Sequence, residues 1–470
     1  MRKSWISGLL LPVALATTAV AQPERPPVTP PAAPTDTLEP KLPEVNDPLL
    51  APLGTPSRVL GSWQEAIRVV RGRSTQLSRT LAQVELANGQ ARQALARALP
   101  TLTATGQIQR HMLTGEGITF GATGLRSGTI PDPQTTYSGS LGLRVPVIAL
   151  RAWHDHGTAR RGAGASGLSR EDVERRVLGA VAEAIVNVVT AERLAEISRI
   201  SLKSTLSTLE LNKRRAQLGA ASALDVLRAE QEVSITRAQV VGADEGVRRA
   251  REALGVTLGY SDPWGVTPQI SLDQLAVDAQ SVCRAVDDPN ARADVRAARA
   301  RLEIARRNVD GVSLDFVPTV DFVSNLNYLS LERQSPNNRH VNWTIGGVLT
   351  WPLYDGGLRY GTKMTTEAQL RLAQEDVTDA QRGAQLEAAQ ARRAVAVARQ
   401  NLAVSQSTRE IARKAGRLSR IAFAAGQGSS FDLIDSSRRL REAEIDTAIK
   451  EFELVRAQIA ALLASANCKV

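Results

Sequence analysis

Apolar positions recur along this chain with two different periods. Val173, Val177, Val181, Ile185 and Val188 fall three or four residues apart, which places them in one stripe on a helix. The run Ala388-Ala389-Gln390-Ala391-Arg392-Arg393-Ala394-Val395-Ala396-Val397 is helix-forming sequence written in small residues, which permit close approach of a neighbouring helix. Proline is absent from Ser57 to Leu99, from Val147 to Asp262 and from Leu353 to Val470. A proline inside a helix costs about 3 kcal/mol, so these are the windows in which long helices can form. A helix from Ala159 to Gln217 would span roughly 90 Å at 1.5 Å per residue. That length predicts a coiled coil or an elongated bundle rather than a globular helix.

Four segments alternate with period two. Leu102, Ala104, Gly106 and Ile108 alternate with Thr and Gln; Leu141, Leu143 and Val145 alternate in Ser140–Val145. Val320, Phe322, Leu326 and Tyr328 alternate with Thr319, Asp321, Asn325 and Asn327, with Ser324 breaking the apolar side. Trp343, Ile345, Gly347, Leu349 and Trp351 alternate with Thr344, Gly346 and Thr350. Half-buried strands have this pattern, and their length is about that needed to cross a bilayer. The Thr, Asn and Gln faces suit a water-filled lumen, and the aromatics Trp343, Trp351 and Tyr354 sit near strand ends as in an interfacial girdle. Alternation alone fits the edge of a soluble sandwich equally well.

The amino terminus bears on that choice. Arg2 and Lys3 precede an apolar stretch from Trp5 to Val20 that ends Ala19-Val20-Ala21, the pattern of a cleaved export signal over residues 1–21. No later run of about 18 apolar residues exists, so any membrane crossing falls to strands. Residues 22–56 hold half of the 22 prolines and read as an extended segment. The 470 residues are 43% hydrophobic but only 4% aromatic, which favours thin, Ala-packed helices over a thick core. The net charge of +10 is carried mostly by Arg interleaved with Glu and Asp along helices. Nucleic-acid binding would need that charge clustered beside aromatics, so no nucleic-acid partner is expected. Two cysteines, Cys283 and Cys468, do not make a disulfide framework, although an oxidising compartment would allow them to pair.

The chain repeats itself. Leu218-Gly219-Ala220-Ala221-Ser222-Ala223-Leu224-Asp225 aligns with Ala425-Gly426-Gln427-Gly428-Ser429-Ser430-Phe431-Asp432, an offset of 207. Pro100 and Pro318 precede matching strands, and Pro146 and Pro352 close the matching second strands. The first repeat runs over 57–286, with strands about 101–112 and 136–147 and a turn at 218–223. The second runs over 287–470, with strands about 317–330 and 341–353 and a turn at 425–430. Each has the order helix, strand, strand, long helix, turn, helix. Two hairpins cannot close a barrel, whereas four strands from each of three chains give 12, an even-numbered barrel in a C3 homotrimer.

With Trp351-Pro352-Leu353-Tyr354-Asp355-Gly356-Gly357 leading from strand to helix and the two Gly-x-x-Ser-x-apolar-Asp turns, the chain resembles the TolC-like outer-membrane efflux family from about residue 57 onward. The resemblance implies a mainly α fold with a β-barrel part: a long periplasmic α-helical barrel below a 12-stranded transmembrane barrel. It also implies outer-membrane lipid around the barrel, and docking to a periplasmic adaptor and an inner-membrane pump. The expected function is passive export of small compounds. The exit duct of a type I protein secretion system is the alternative within the class, and a soluble periplasmic coiled-coil or adaptor protein the alternative outside it.

The same resemblance places functional residues. Gly219, Ser222, Asp225, Gly426 and Ser429 would form the two periplasmic tip turns that meet the adaptor. Asp432 and Asp435, three apart and so on one helix face, would line the narrow entrance, six carboxylates in a trimer; Arg228 stands where the first repeat matches Asp435. Phe423 and Gly428 occupy positions where family members carry polar locks, so closure is expected to rest on packing or on other pairs. Both cysteine regions return to the middle of the α-barrel in the family, which implies an intrachain Cys283–Cys468 disulfide.

Catalytic signatures are missing. No G-x-S-x-G and no G-x-x-x-x-G-K-[ST] occurs. Gly162-Ala163-Gly164-Ala165-Ser166-Gly167 matches the dinucleotide fingerprint but follows no buried strand, and is expected to be a small-residue stretch where a helix leaves the barrel. His154-Asp155-His156 could converge on a metal only if extended, and reads instead as a solvated interfacial segment. No enzyme activity, metal or cofactor is expected, and transport would be driven by a partner.

Overall fold

The computed structural model describes residues 43–112, 116–121, 124–129, 134–268, 270, 277–278, 283–286, 288–331 and 341–468. Residues 1–21, with the pattern expected of an export signal, and most of the Pro-rich segment 22–56 lie outside them.

After a one-turn 3-10 helix at Pro48–Leu50 come β1 (Arg58–Leu60), α1 (Trp63–Arg73), α2 (Thr75–Ala96) and β2 (Thr101–His111). A short hairpin follows, β3 (Glu116–Gly121) and β4 (Gly124–Thr129), then β5 (Gln134–Ile148). The first long helix is α3 (Leu150–Gln217), and α4 (Ala223–Leu258) returns beside it. The connector holds β6 (Trp264–Val266) and β7 (Cys283–Ala285). The second half runs α5 (Ala293–Ser313), β8 (Thr319–Leu331), β9 (Val341–Thr350), α6 (Leu358–Ala424), α7 (Ser430–Ala464) and β10 (Ala466–Cys468). With 68 and 67 residues, α3 and α6 are each about 100 Å long.

Three layers stack along these two helices. At one end is an antiparallel sheet in the order β2-β5-β8-β9. Below it the helices pack in the order α2-α3-α5-α6, and beyond the midpoint in the order α4-α3-α7-α6. At mid-length sits the largest apolar cluster, where Val181, Ile185 and Val188 of α3 meet Trp63 and Val70 of α1, Leu254 of α4 and Phe452 of α7. Two small ribbons wrap this belt: β1 pairs parallel with β6, and β7 antiparallel with β10, which sets Cys283 opposite Cys468. Arg292, almost wholly buried at the start of α5, donates to Asp294 and Glu387 at 2.6 Å each and to the Ala464 carbonyl at 3.1 Å. Burial alone would depress its pKa; the two carboxylates outweigh that and raise it.

Helix α6 carries two seams. Val377, Ala384, Ala391, Ala398, Ser405, Gly416 and Phe423 are buried, separated by steps of seven with one of eleven. Leu372, Leu386, Val397, Val404, Ile411 and Leu418 follow the same coiled-coil spacing, yet they are 53–67% exposed. At Val397 and Val404 the exposed stripe lies one residue, about 100° of turn, from the buried Ala398 and Ser405. The helix presents apolar residues on two faces, and among the described residues it has one helical neighbour at each level, α5 toward the sheet and α7 toward the tip.

Several expectations need correction. Helix α3 starts at Leu150, not Ala159, and Gly162–Gly167 lies inside it. Its amino end has no side-chain cap, which removes the usual start signal. His154-Asp155-His156 is therefore helical rather than extended or solvated. His154 is packed between Arg307 and Arg151, and burial lowers its pKa. His156 Nδ1 lies 3.2 Å from the Ala91 carbonyl oxygen. Residues two apart on a helix point to different sides, so the pair cannot chelate. Pro146 does not close its strand: it lies inside β5, where the register against β8 slips by one residue before Ile148. Strand β9 ends at Thr350, leaving Trp351 and Tyr354 beyond the ladder. The described part of the Pro-rich segment, 43–56, is no free linker, because it lies docked along α3 and α4.

Candidate functional site: the two helical turns at the far end

The tip opposite the sheet is made by two turns of one construction. Helix α3 ends at Gly219 with φ +72°, and α6 ends at Gly426 with φ +75°, the left-handed region that only glycine enters without strain. Ser222 and Ser429 then begin α4 and α7 as capping boxes. The Ser222 hydroxyl accepts from the Asp225 amide at 3.2 Å and donates to the Asp225 carboxylate at 2.7 Å. The Ser429–Asp432 contacts are 3.1 and 2.6 Å. The Ser222 hydroxyl bond holds the Asp225 pKa below the ordinary carboxylate value, aided by Arg228 and Arg215.

The charges around the second turn are partnered. Asp432 is spent on its cap. Asp435 accepts from Arg438 and Arg439, each at 2.7 Å, and these two guanidinium groups hold its pKa down. Asp432 and Asp435 thus lie one turn apart near the start of α7, Asp432 held by the Ser429 cap and Asp435 balanced by two arginines, a feature visible in the sequence only as Arg three and four residues after it. Arg228, the counterpart of Asp435, lies over the Phe431 ring at 5.8 Å.

Cross-links between the two helical hairpins were not apparent from spacing. Arg215 lies over the Phe423 ring at 4.3 Å and donates to the Phe423 carbonyl at 3.3 Å. Buried Ser430 donates to the Asn212 side-chain oxygen at 3.2 Å. Deeper in the seam, Arg441 and Glu232, both almost fully buried, bond at 2.7 Å. Phe423 thus takes part in holding the hairpins together through its ring and its backbone. Gly428 donates its amide to the Ala422 carbonyl at 3.1 Å, and an added Cβ would stand 3.0 Å from the Phe423 nitrogen.

Far from the tip, Cys283 and Cys468 form a disulfide across β7 and β10. At the sheet, Trp343 is near the start of β9 and Trp351 and Tyr354 just past its end; all three are more than half exposed. Eight residues separate the two tryptophans, about 26 Å along a strand. Trp351 Nε1 donates to the Phe316 carbonyl at 3.2 Å. Asp355 accepts the Gly357 and Arg359 amides at 3.1 and 3.2 Å, and Gly356 and Gly357 both take positive φ, which swings the chain from strand into α6. Among the described residues no group of His, Cys, Asp or Glu could hold a metal ion, and no helix is long and apolar enough to cross a membrane.

The profile of the outer membrane efflux protein family matches residues 66–260 and 290–465, one stretch in each repeat. The chain belongs to that family. Among relatives, the fusaric acid resistance protein FusA of Burkholderia cepacia is 25% identical over 183 residues, 38% of this chain and 34% of FusA. The pyoverdine export outer membrane protein OpmQ of Pseudomonas putida is 23% identical, with 84% of each chain covered. The chain spans only about a third to a half of the length of the first curated relatives it matches. A crystal structure of a membrane protein from Pseudomonas aeruginosa superposes with a TM-score of 0.72 at 20% identity, covering 88% of this chain and 99% of that one. At that identity the likeness shows the fold alone. These efflux-family hairpins meet at the tip just described.

Proposed function

We propose that this chain is one subunit of a passive outer-membrane channel-tunnel, a homotrimer that exports small compounds delivered by a periplasmic adaptor and an inner-membrane pump. The observation that carries the reading is the set of free edges. The sheet ends in β2 on one side and β9 on the other; the helical layers end in α2 or α4 on one side and α6 on the other. All three layers are therefore open at the same two edges, and the exposed stripe of α6 runs the length of one of them. A head-to-tail contact repeated around an axis covers that stripe and joins β9 of one copy to β2 of the next. Three copies supply 12 strands, and the Trp343 and Trp351–Tyr354 levels match the roughly 25 Å apolar band of such barrels, facing outer-membrane lipid. The two capped turns would then ring the periplasmic mouth and meet the adaptor, with Asp432 and Asp435 at the entrance. Passage through the channel is passive, and the inner-membrane pump supplies the energy.

The test is a deletion strain assayed for drug susceptibility and for secreted protein, with membrane fractionation of the complemented strain. The reading expects recovery in the outer membrane, loss of resistance to small toxic compounds and an unchanged secretome. Recovery wholly in the soluble periplasm would contradict the barrel, and a selective loss of a secreted protein would contradict the cargo class.

A further inference from the structure

The segment at 43–56 is tied to the outside of the α3–α4 pair in a fixed order. Arg251 donates to the Gly54 carbonyl at 2.9 Å, Arg199 to the Ala51 carbonyl at 3.1 Å, and Arg237 to the Asp47 carboxylate at 2.8 Å. Ser207 donates to the Pro43 carbonyl at 3.0 Å, and Leu49 and Leu50 pack on the Leu202, Val233 and Val240 cluster. Reading backward from Gly54 to Pro43, the strap moves steadily along α3 toward the Gly219 turn. At Pro43 it reaches the seam between the two hairpins. There Pro43 and Glu44 form one wall of a groove of about 460 Å³, with Ile200, Ser204, Arg420 and Leu440 among the others. A second hollow of about 360 Å³ continues it toward the tip, sharing Ser204, Arg420 and Ser437 and adding Leu211, Arg215 and Phe423.

We propose that this groove is a docking site for the chain's own preceding segment, residues 38–42. The distance from Ser207 to Arg215 along α3 is about 12 Å, which about four residues of extended polyproline-type chain cover. The residues immediately upstream of Pro43 are Leu38-Glu39-Pro40-Lys41-Leu42. Leu38, Pro40 and Leu42 suit an apolar floor of Leu211, Phe423 and Leu440, and Glu39 suits the guanidinium groups of Arg215 and Arg420. A proline-rich segment loses little entropy on docking, because its extended form is largely preset. Any partner helix that enters this seam must displace it. The inference rests on the position and direction of the strap and is independent of the cargo.

Two linked measurements on the purified full-length protein test it. Ala424→Cys, which lines the second hollow at the level of Arg215, is labelled with a water-soluble maleimide in the full chain and in a chain lacking residues 22–40. The expectation is labelling about tenfold slower in the full chain. Second, Leu38→Cys with Ala424→Cys, the native cysteines being paired already, is expected to form an intrachain disulfide under mild oxidation. Equal labelling rates with no cross-link overturn the proposal. So does slow labelling in both chains, which would mean that a second copy or another partner fills the groove, and so does a cross-link between chains.

Discussion

Replacing Arg441 with Met tests how the two helical hairpins are held together near the tip. Arg441 and Glu232 come from different hairpins, lie 2.7 Å apart and are 6% and 11% exposed at their side chains. Methionine keeps most of the volume and removes the charge, so Glu232 is left without its partner in a nearly dry seam. Removing one member of a buried pair costs about 3–5 kcal/mol, because the remaining charge loses its partner without regaining water. That cost falls on the seam, since the disulfide and the apolar belt lie elsewhere along the helices. At 1.4 kcal/mol per factor of ten, amide exchange along 205–215 and 430–441 should speed up about 100-fold or more, while amides of the mid-length belt keep their protection. A Glu232→Met, Arg441→Met double variant removes both charges and should restore most of the protection. Hydrogen exchange followed by mass spectrometry reads all three. If the single variant exchanges like the parent in these segments, or the double variant is worse than the single, the pair does not hold the seam.

Four further outcomes follow from the same contacts. Replacing Cys283 and Cys468 with Ser opens a loop spanning 185 positions and should lower stability by up to about 5 kcal/mol, read as a fall in the denaturant midpoint matched by reducing the parent. Gly219→Val and Gly426→Val should each destabilise their turn by about 1–3 kcal/mol through positive φ alone, since nothing stands within 4 Å of an added Cβ; Asn at either site should cost less, and equal costs for Val and Asn would refute the argument. The Asp47 carboxylate, held below its ordinary pKa by the Leu49 amide and Arg237, favours the docked strap above the unfolded-state value near 4 and ceases to do so as pH falls through the lowered folded value; protease cleavage within 43–56 should therefore rise only in acid, and Asp47→Asn should abolish the pH dependence. Single-channel recording on Asp432→Asn with Asp435→Asn should reduce cation selectivity and block by multivalent cations, and unchanged selectivity would remove both residues from the entrance.

Much of the architecture was legible because its signals are local. The period-two runs, the proline-free windows and the two Gly-x-x-Ser turns each carry their own chemistry, and they appear twice. Signals that depend on distant partners were not legible. The strap at 43–56 reads as a linker because its anchors, Ser207, Arg199, Arg237 and Arg251, lie about 150–200 residues away. The start of α3 was hidden by its missing cap and by three glycines within six residues. The β3–β4 hairpin is short and Gly-rich, and the three-residue ribbons β1, β6, β7 and β10 are too brief to show a period. The second seam of α6 is written plainly from Val397 to Leu418 at intervals of seven, but the neighbouring Ala-rich seam obscures it until burial separates the two. At the second tip turn, Asp432 and Asp435 were recognisable as a pair, whereas the balancing of Asp435 by Arg438 and Arg439 needed rotamers to be seen.

The central claim is that the shared free edges close head to tail around a three-fold axis. Native mass spectrometry of the detergent-extracted protein measures this directly, alongside an Ile411→Asp, Leu418→Asp variant that places charge in the exposed stripe of α6. The account predicts a parent assembly of three copies and a variant shifted to single chains that keep their Cys283–Cys468 disulfide. A parent that is monomeric, or a trimer indifferent to both substitutions, would contradict it.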